Sequence, residues 1–245
     1  MSEATDARGL VEILEVKSLE SGKLTRLLYH DEAGIDVPIQ VHKKNNPSSD
    51  KLLVTYNGAL SRSKAPDGIV FQRSSWLDEF TSDVVQIADP TLVKYPRLSI
   101  GWAQANSENW AIDSYKKALD WVRNEYSLQG AKSTVHYGSS AGGFQAIATA
   151  CLDGSSKAIA NNPQLDWSRY NPVFVKALMR DVFAGREAED LRESQPERVS
   201  VVELFKLLNY VPDTTLVFNA GSAGDVDQQI IPAVRDLQEL SLIHI

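Results

Sequence analysis

One stretch constrains this chain more than any other: Thr134-Val135-His136-Tyr137-Gly138-Ser139-Ser140-Ala141-Gly142-Gly143-Phe144-Gln145. It reads as a short strand, a glycine-rich corner and the first turn of a helix that ends near Cys151. Gly138-x-Ser140-x-Gly142 is the spacing at which a sharp strand-to-helix turn lifts a serine hydroxyl above the edge of a sheet. The small residues have a steric reason. Backbone at such a corner is strained, and Gly138 and Gly142 let strand and helix cross with no Cβ between them. The helix aims its free N–H groups and the positive end of its dipole at the same corner, which favours developing negative charge there. A strand–turn–helix with an incidental serine shares the pattern, so the surrounding chain has to decide.

The surroundings alternate. Runs rich in β-formers cover 10–16, 23–29 and 35–41, with turn signals at Ser21-Gly22 and Glu32-Ala33-Gly34, and predict an antiparallel start. Residues 45–50 read as a polar loop. The continuous apolar run 52–56 predicts a strand buried on both faces, and 84–88 a second one, ended by Asp89-Pro90. Residues 98–102 read as a short edge or loop segment. A helix is predicted from an N-cap at Ser107 to Tyr126, with Ala111, Tyr115, Ala118, Trp121 and Val122 on its core face. After the corner and its helix (141–152) come a strand at 158–160 and helices at 172–183 and 199–208. An exposed loop is expected over 185–198, a last strand over 215–218 and a helix over 227–239. Strands alternating with helices predict an α/β fold: a mostly parallel sheet with helices on both faces and antiparallel N-terminal strands.

Composition narrows the partners. The 245 residues are 43% hydrophobic and 23% charged, enough for one substantial core, and no Pro/Gly/Ser-rich linker divides them. A net charge of −7 argues against nucleic acid or an anionic membrane as partner. There is no apolar run of membrane-spanning length, and residues 1–9 lack a signal-peptide core. The single cysteine, Cys151, excludes an internal disulfide, and no Cys/His cluster has metal-site spacing. The expectation is a soluble, cytoplasmic protein with no metal and no cofactor.

An antiparallel start, then alternation, with Gly138-x-Ser140-x-Gly142 in mid-chain, resembles the α/β-hydrolase superfamily over about 10–239. That resemblance implies a nucleophile, an oxyanion hole, an acid and a histidine. Ser140 would be the nucleophile, with Ser139 turned away from the site. The N–H of Ala141 would be one oxyanion donor. The other would come from Asn57-Gly58-Ala59-Leu60, directly after the first central strand, at Ala59 or alternatively Leu60. An ordinary Asn-Gly turn is the plain alternative for that loop. The glycine-rich segment Asn219-Ala220-Gly221-Ser222-Ala223-Gly224-Asp225 resembles the family's acid loop and makes Asp225 the acid. Asp227, which also has a helix-capping explanation, and Asp166, after the strand that follows the corner, are the alternatives.

The histidine is the missing part. His30 and His42 precede the first central strand, where the resemblance places no base. His136, on the corner strand opposite Tyr137, reads as a buried, hydrogen-bonded core residue. Only His244 follows the acid, within Leu240-Ser241-Leu242-Ile243-His244-Ile245. Read back through CTG TCT CTT ATA CAC ATC, that ending matches the start of a transposase adaptor used in sequencing libraries. The expectation is therefore one incomplete hydrolase domain over 1–239, with the last strand and helix missing, 240–245 translated from adaptor, and the base encoded further on. A natural last strand carrying His244 as base is the rival. Function is expected to be that of a serine esterase or acyltransferase working through an acyl-serine, with the chain inactive as a fragment. Its substrate would be a small-molecule or glycan ester. A non-catalytic hydrolase-fold binding protein is the alternative class.

Overall fold

A computed structural model describes residues 11–12, 16 and 18–239. They form one sheet of eight strands in the order β1-β2-β3-β5-β4-β6-β7-β8. The strands are β1 (Val11–Glu12), β2 (Leu24–His30), β3 (Asp36–His42), β4 (Leu52–Tyr56), β5 (Asp83–Ile87), β6 (Thr134–Ser139), β7 (Lys157–Asn161) and β8 (Asp213–Val217). β2 and β3 pair antiparallel, as do β3 and β5, while β4, β5, β6, β7 and β8 run parallel. β1 lies parallel to β2, although the sequence pattern predicts an antiparallel start. The connection over 13–23 is longer than a tight hairpin, so no turn imposes a direction on β1. Residues 10 and 13–15 of the strand expected there, and the whole of 240–245 with His244, lie outside the described residues.

The strand order positions the site. From β4 the chain steps outward to β5 on one side, then returns to lay β6 on the other side of β4 and continues to β7 and β8. The segments leaving the C-terminal ends of β4 and β6 therefore face each other across a crevice where the winding reverses, the place where open α/β sheets bind ligands. Those two segments are Asn57-Gly58-Ala59-Leu60 and the Ser140 corner.

Eight helices accompany the sheet among the described residues: α1 (Pro90–Lys94), α2 (Ala111–Tyr126), α3 (Ala141–Asp153), α4 (Pro172–Val182), α5 (Ala188–Ser194), α6 (Val201–Leu208), α7 (Ala223–Asp225) and α8 (Ile231–Glu239). A π-helical turn, Val226–Ile230, joins the last two. α3 is apolar around its circumference because it is buried on nearly every side, packed against β4, β6, β7, α2 and α6. The helical cover is uneven. Tyr56, Ile87 and Ala160 are buried, but Ile159 is 37% exposed, Leu216 38% and Val217 48%.

Three local expectations are corrected. The helix foreseen from Ser107 starts at Ala111, with Trp110 as N-cap, because the Asn106 carboxamide oxygen takes the N–H groups of Glu108 and Asn109 and folds that segment into a turn. The stretch 185–198, expected as an exposed loop, contains α5 and a 3-10 turn, Pro196–Arg198; Leu191 and Arg198 are buried. Asp227 does not open its helix but lies inside the π-helical turn, exposed.

Candidate active site

The corner is held by close packing. A Cβ on Gly138 would lie 2.0 Å from the carbonyl oxygen of Gly142, and one on Gly142 would lie 2.7 Å from that of Tyr56. Glycine at both positions thus brings β6, α3 and the end of β4 into contact. Ser140, the N-cap of α3, adopts φ 56° and ψ −126°, a strained conformation outside the helical and strand regions. Its N–H donates to Asn161 O at 3.1 Å, and its carbonyl accepts from Gly143 and Gln164 N–H groups at 3.0 and 3.2 Å. Its hydroxyl oxygen accepts from Gln164 Nε2 at 2.8 Å. The neighbouring Ser139 hydroxyl accepts from the Arg73 guanidinium at 2.8 Å, which also stacks 4.5 Å from the Tyr137 ring centroid. The two adjacent serines therefore contact different partners.

The loop after β4 abuts this corner: a Cβ on Gly58 would be 3.0 Å from Ser139 O and 3.7 Å from Ser140 Cβ. Asn57 holds the loop in shape. Its side-chain oxygen accepts from Asp89 N–H at 2.8 Å, its side-chain nitrogen donates to Gly58 O at 3.0 Å, and its carbonyl accepts from Gln145 Nε2 on α3 at 2.9 Å. Gly58 N–H donates to Gln72 Oε1 at 3.1 Å, and Leu60 N–H to Ser99 O at 2.9 Å. Of the loop's N–H groups, that of Ala59 has no acceptor among the described residues, nor does that of Ala141.

Asp89, fully buried, ties the next loop to this frame. Its carboxylate accepts from Thr91 and Ala103 N–H groups at 2.9 Å each. Burial raises its pKa, against the lowering effect of those bonds.

The acidic residues are placed unequally. Asp166 is buried and saturated: it accepts from Arg192 at 2.6 Å, Ser168 Oγ at 2.8 Å and Ser168 N–H at 3.2 Å, and pairs with Arg169 at 3.0 Å. Asp225, half-buried, accepts from Ser222 Oγ at 2.7 Å and lines a cavity of about 380 Å³ with Tyr170, Asn171 and Gln229. Neither carboxylate is hydrogen-bonded to the corner. Among the described residues, no group of three or more His, Cys, Asp or Glu could hold a metal, and no helix is long and apolar enough to cross a membrane.

None of the described histidines is hydrogen-bonded to Ser140, whose hydroxyl is bonded to Gln164. His30 Nδ1 lies 2.6 Å from Asp36 on the β2–β3 hairpin, and His42 is buried at the end of β3. His136 is fully buried, as the strand pattern foresees. Its Nδ1 is 2.8 Å from the Tyr56 hydroxyl and its Nε2 is 3.1 Å from Asp153, which Arg123 grips through two bonds of 2.7 Å. Burial pushes the Asp153 carboxyl up, but bonds from Arg123 and His136 outweigh it and hold it well below the usual carboxylate range. Burial, opposed by Asp153, lowers His136. A neutral imidazole then donates from Nε2 to Asp153 and accepts at Nδ1 from Tyr56.

Sequence reasoning missed Asn57 as a structural hub, Gln145, Asp89 and above all Gln164. The only available signal for Gln164 was its place in Asn162-Pro163-Gln164, just beyond β7.

No protein-family model matches the chain, and no curated protein matches it. Solved structures do. The chain is similar to acetyl xylan esterase from Paenibacillus sp. R4, with TM-score 0.59 and 18% identity over 89% of this chain and 75% of that one. It is similar to S-formylglutathione hydrolase FrmB from Staphylococcus aureus, with TM-score 0.58 and 13% identity over 90% and 89% of the two chains. It is also similar to the fluorophosphonate-binding serine hydrolase FphF of Staphylococcus aureus, with TM-score 0.57 and 12% identity over 91% and 89%. At these identities the likeness speaks to fold.

Proposed function

On this α/β-hydrolase-like fold, we propose that the crevice between the ends of β4 and β6 is the acyl-transfer site of a serine esterase or acyltransferase. The observation that carries the reading is the strained Ser140 at the strand–helix corner, beside the unengaged N–H groups of Ala141 and Ala59. Ser140 Oγ would attack the acyl carbon of an ester, passing its proton to a general base as the Oγ–C bond forms. The carbonyl oxygen, now anionic, would take the Ala141 and Ala59 N–H groups, with the helix α3 N-terminus adding favourable potential. Collapse would expel the alcohol, which leaves with a proton, and water or a sugar hydroxyl would then take the acyl group from Oγ.

The acid and base are less evenly supported. Asp166 has its oxygens taken up by Arg192, Arg169 and Ser168, which favours Asp225 over it. Asp227 is exposed inside its turn, which also favours Asp225. With His30 paired to Asp36, His136 held by Tyr56 and Asp153, and His42 at the end of β3 beside the start of β5, the base belongs outside the described residues; His244 is the histidine of this chain that remains. Short acyl esters of small molecules or glycans are the proposed substrates, a choice to which the similarity with an acetyl xylan esterase adds support.

The second reading, a hydrolase-fold binding protein without catalysis, draws on one observation: the hydroxyl of Ser140 is bonded to an amide and to no imidazole among the described residues. Hydrolysis of an activated short-chain acetate separates the two. The purified chain, Ser140→Ala and His244→Ala are compared with and without added imidazole. The enzyme reading expects turnover that is absent in Ser140→Ala; loss in His244→Ala would make His244 the base, and stimulation by imidazole would mark the base as lacking. Turnover identical in the chain and in Ser140→Ala would leave the binding reading.

A further inference from the structure

The bond from Gln164 to the Ser140 hydroxyl has a fixed polarity. An amide side chain can usually be turned over, exchanging its oxygen and nitrogen. Here Trp102 decides the matter. Its indole N–H, which can only donate, points at Gln164 Oε1. The oxygen must therefore face Trp102, leaving Nε2 to face Ser140 Oγ at 2.8 Å. Both side chains are buried, Trp102 completely, and Trp102 is itself stacked on Trp167 with centroids 5.6 Å apart. The backbone N–H of Gln164 reaches Ser140 a second time, at its carbonyl oxygen, 3.2 Å away. Gln164 thus clamps Ser140 at two atoms, from a position 24 residues on in the chain.

We propose that Gln164, anchored by Trp102, is a catalytic hydrogen-bond donor to the nucleophile oxygen. The inference rests on the reading of Ser140 as nucleophile. With one lone pair of Oγ committed to Gln164, the serine's own proton has to point away from it, toward the open crevice from which a base would take it. The same N–H then faces an oxygen that carries negative charge each time the Oγ–acyl bond forms or breaks, when a hydrogen bond from a neutral donor becomes charge-assisted and roughly twice as strong. Trp102 acts through Gln164 and is a positioning residue.

The test uses two replacements of similar size. Gln164→Glu keeps the shape and can accept from Trp102, but as a carboxylate it has no N–H for Oγ and opposes negative charge there. Gln164→Met removes the polar group. The readout is the second-order rate constant for Ser140 with a fluorophosphonate, in which an Oγ–P bond forms, fluoride leaves and the hydroxyl proton passes to solvent. At pH 8, Gln164→Glu should fall by about 100-fold, the loss typical of one such donor, and Gln164→Met by less. The Glu deficit should narrow as pH falls and its carboxyl gains a proton to donate, a signature that lost packing would not produce. Thermal unfolding of each variant separates folding from chemistry. Side-chain amide NMR reads the bond without turnover: the Gln164 NH₂ resonances should move in Ser140→Ala and in Trp102→Phe. Labelling of Gln164→Glu at the unmodified rate, or amide resonances unmoved in Ser140→Ala, would overturn the inference while leaving Ser140 as nucleophile. An unmodified chain that takes no label, even with imidazole added as an exogenous base, would instead overturn the nucleophile reading and, with it, a catalytic role for Gln164.

Discussion

The Ser140 corner and the Asp225 segment are built by different means. At the β4–β6 end, Ser140 and the Asn57 loop are fixed from several directions at once, by backbone contacts that leave no room for a Cβ at Gly138 or Gly142, by the side chains of Gln164 beyond β7 and Gln145 on α3, and by the backbone N–H of Asp89. At the β8 end, Asp225 sits in a short helix with one bond, to its neighbour Ser222. The strand before it leaves Leu216 and Val217 exposed. A nucleophile and its oxyanion donors have to be rigid to fractions of an ångström, and close-packed backbone achieves that. The Asp225 carboxylate has no comparable set of contacts among the described residues.

That contrast can be broken by substitution. The largest effect should be Gly138→Ala, whose Cβ would sit 2.0 Å from a backbone oxygen. Backbone on both sides must shift, and a loss on the order of 4 kcal/mol or more is expected in urea unfolding. An unchanged midpoint would mean that the corner is looser than its contacts imply.

Asp153→Asn comes next, at about 3 kcal/mol, since it leaves the buried Arg123 charge with only the half-exposed Asp120, 3.6 Å away, in place of a two-bond buried carboxylate. The pH dependence of the parent protein follows from the same group. His136 and Asp153 both have folded pKa values below their unfolded ones, so their stabilisation is complete above about 6.5 and is lost as pH falls, from His136 first and from Asp153 below about 3.9. Asp89, raised by burial, works in the opposite sense as it protonates. Replacing His136 with Gln should flatten the slope between pH 5 and 7 in part, because His42, also lowered mainly by burial, keeps a share of it. An equally steep slope in that variant would remove His136 from the account.

Smaller still, Ala59→Pro should cost roughly 10² to 10³ in turnover by deleting one oxyanion donor while the fold survives. A folded variant with full activity would move the hole elsewhere. The smallest change sharpens the comparison from the other end. A Cβ on Gly224, one residue before Asp225, would meet nothing within 4 Å, so Gly224→Ala should alter stability by less than about 1 kcal/mol. A loss there matching Gly138→Ala would erase the difference between the two ends.

What could be read in the sequence divides along similar lines. The corner is written in one short stretch, where glycine spacing and a strand-to-helix switch are local facts, and the buried fate of His136 follows from its alternation with Tyr137. The loop after β4 was legible because a continuous apolar run marks a central strand and its exit. Gln164 was not legible as a partner of Ser140, since a lone glutamine has no periodicity and its contact depends on how β6 and β7 pair. α5 was hidden for a related reason: charged residues dominate 186–198, and the burial of Ala188 and Leu191, a tertiary fact, separates that helix from an exposed loop. The start of α2 went astray because Asn106 competed with Ser107 for the same N–H groups.

The central claim is that Ser140, and not Ser139, is the oxygen poised to react. Peptide mapping of the chain after treatment with a fluorophosphonate tests it directly, with Ser140→Ala and Ser139→Ala as companions. The account predicts a single adduct on Ser140, kept in Ser139→Ala and absent in Ser140→Ala. An adduct on Ser139, or equal loss of label in both variants, would contradict it.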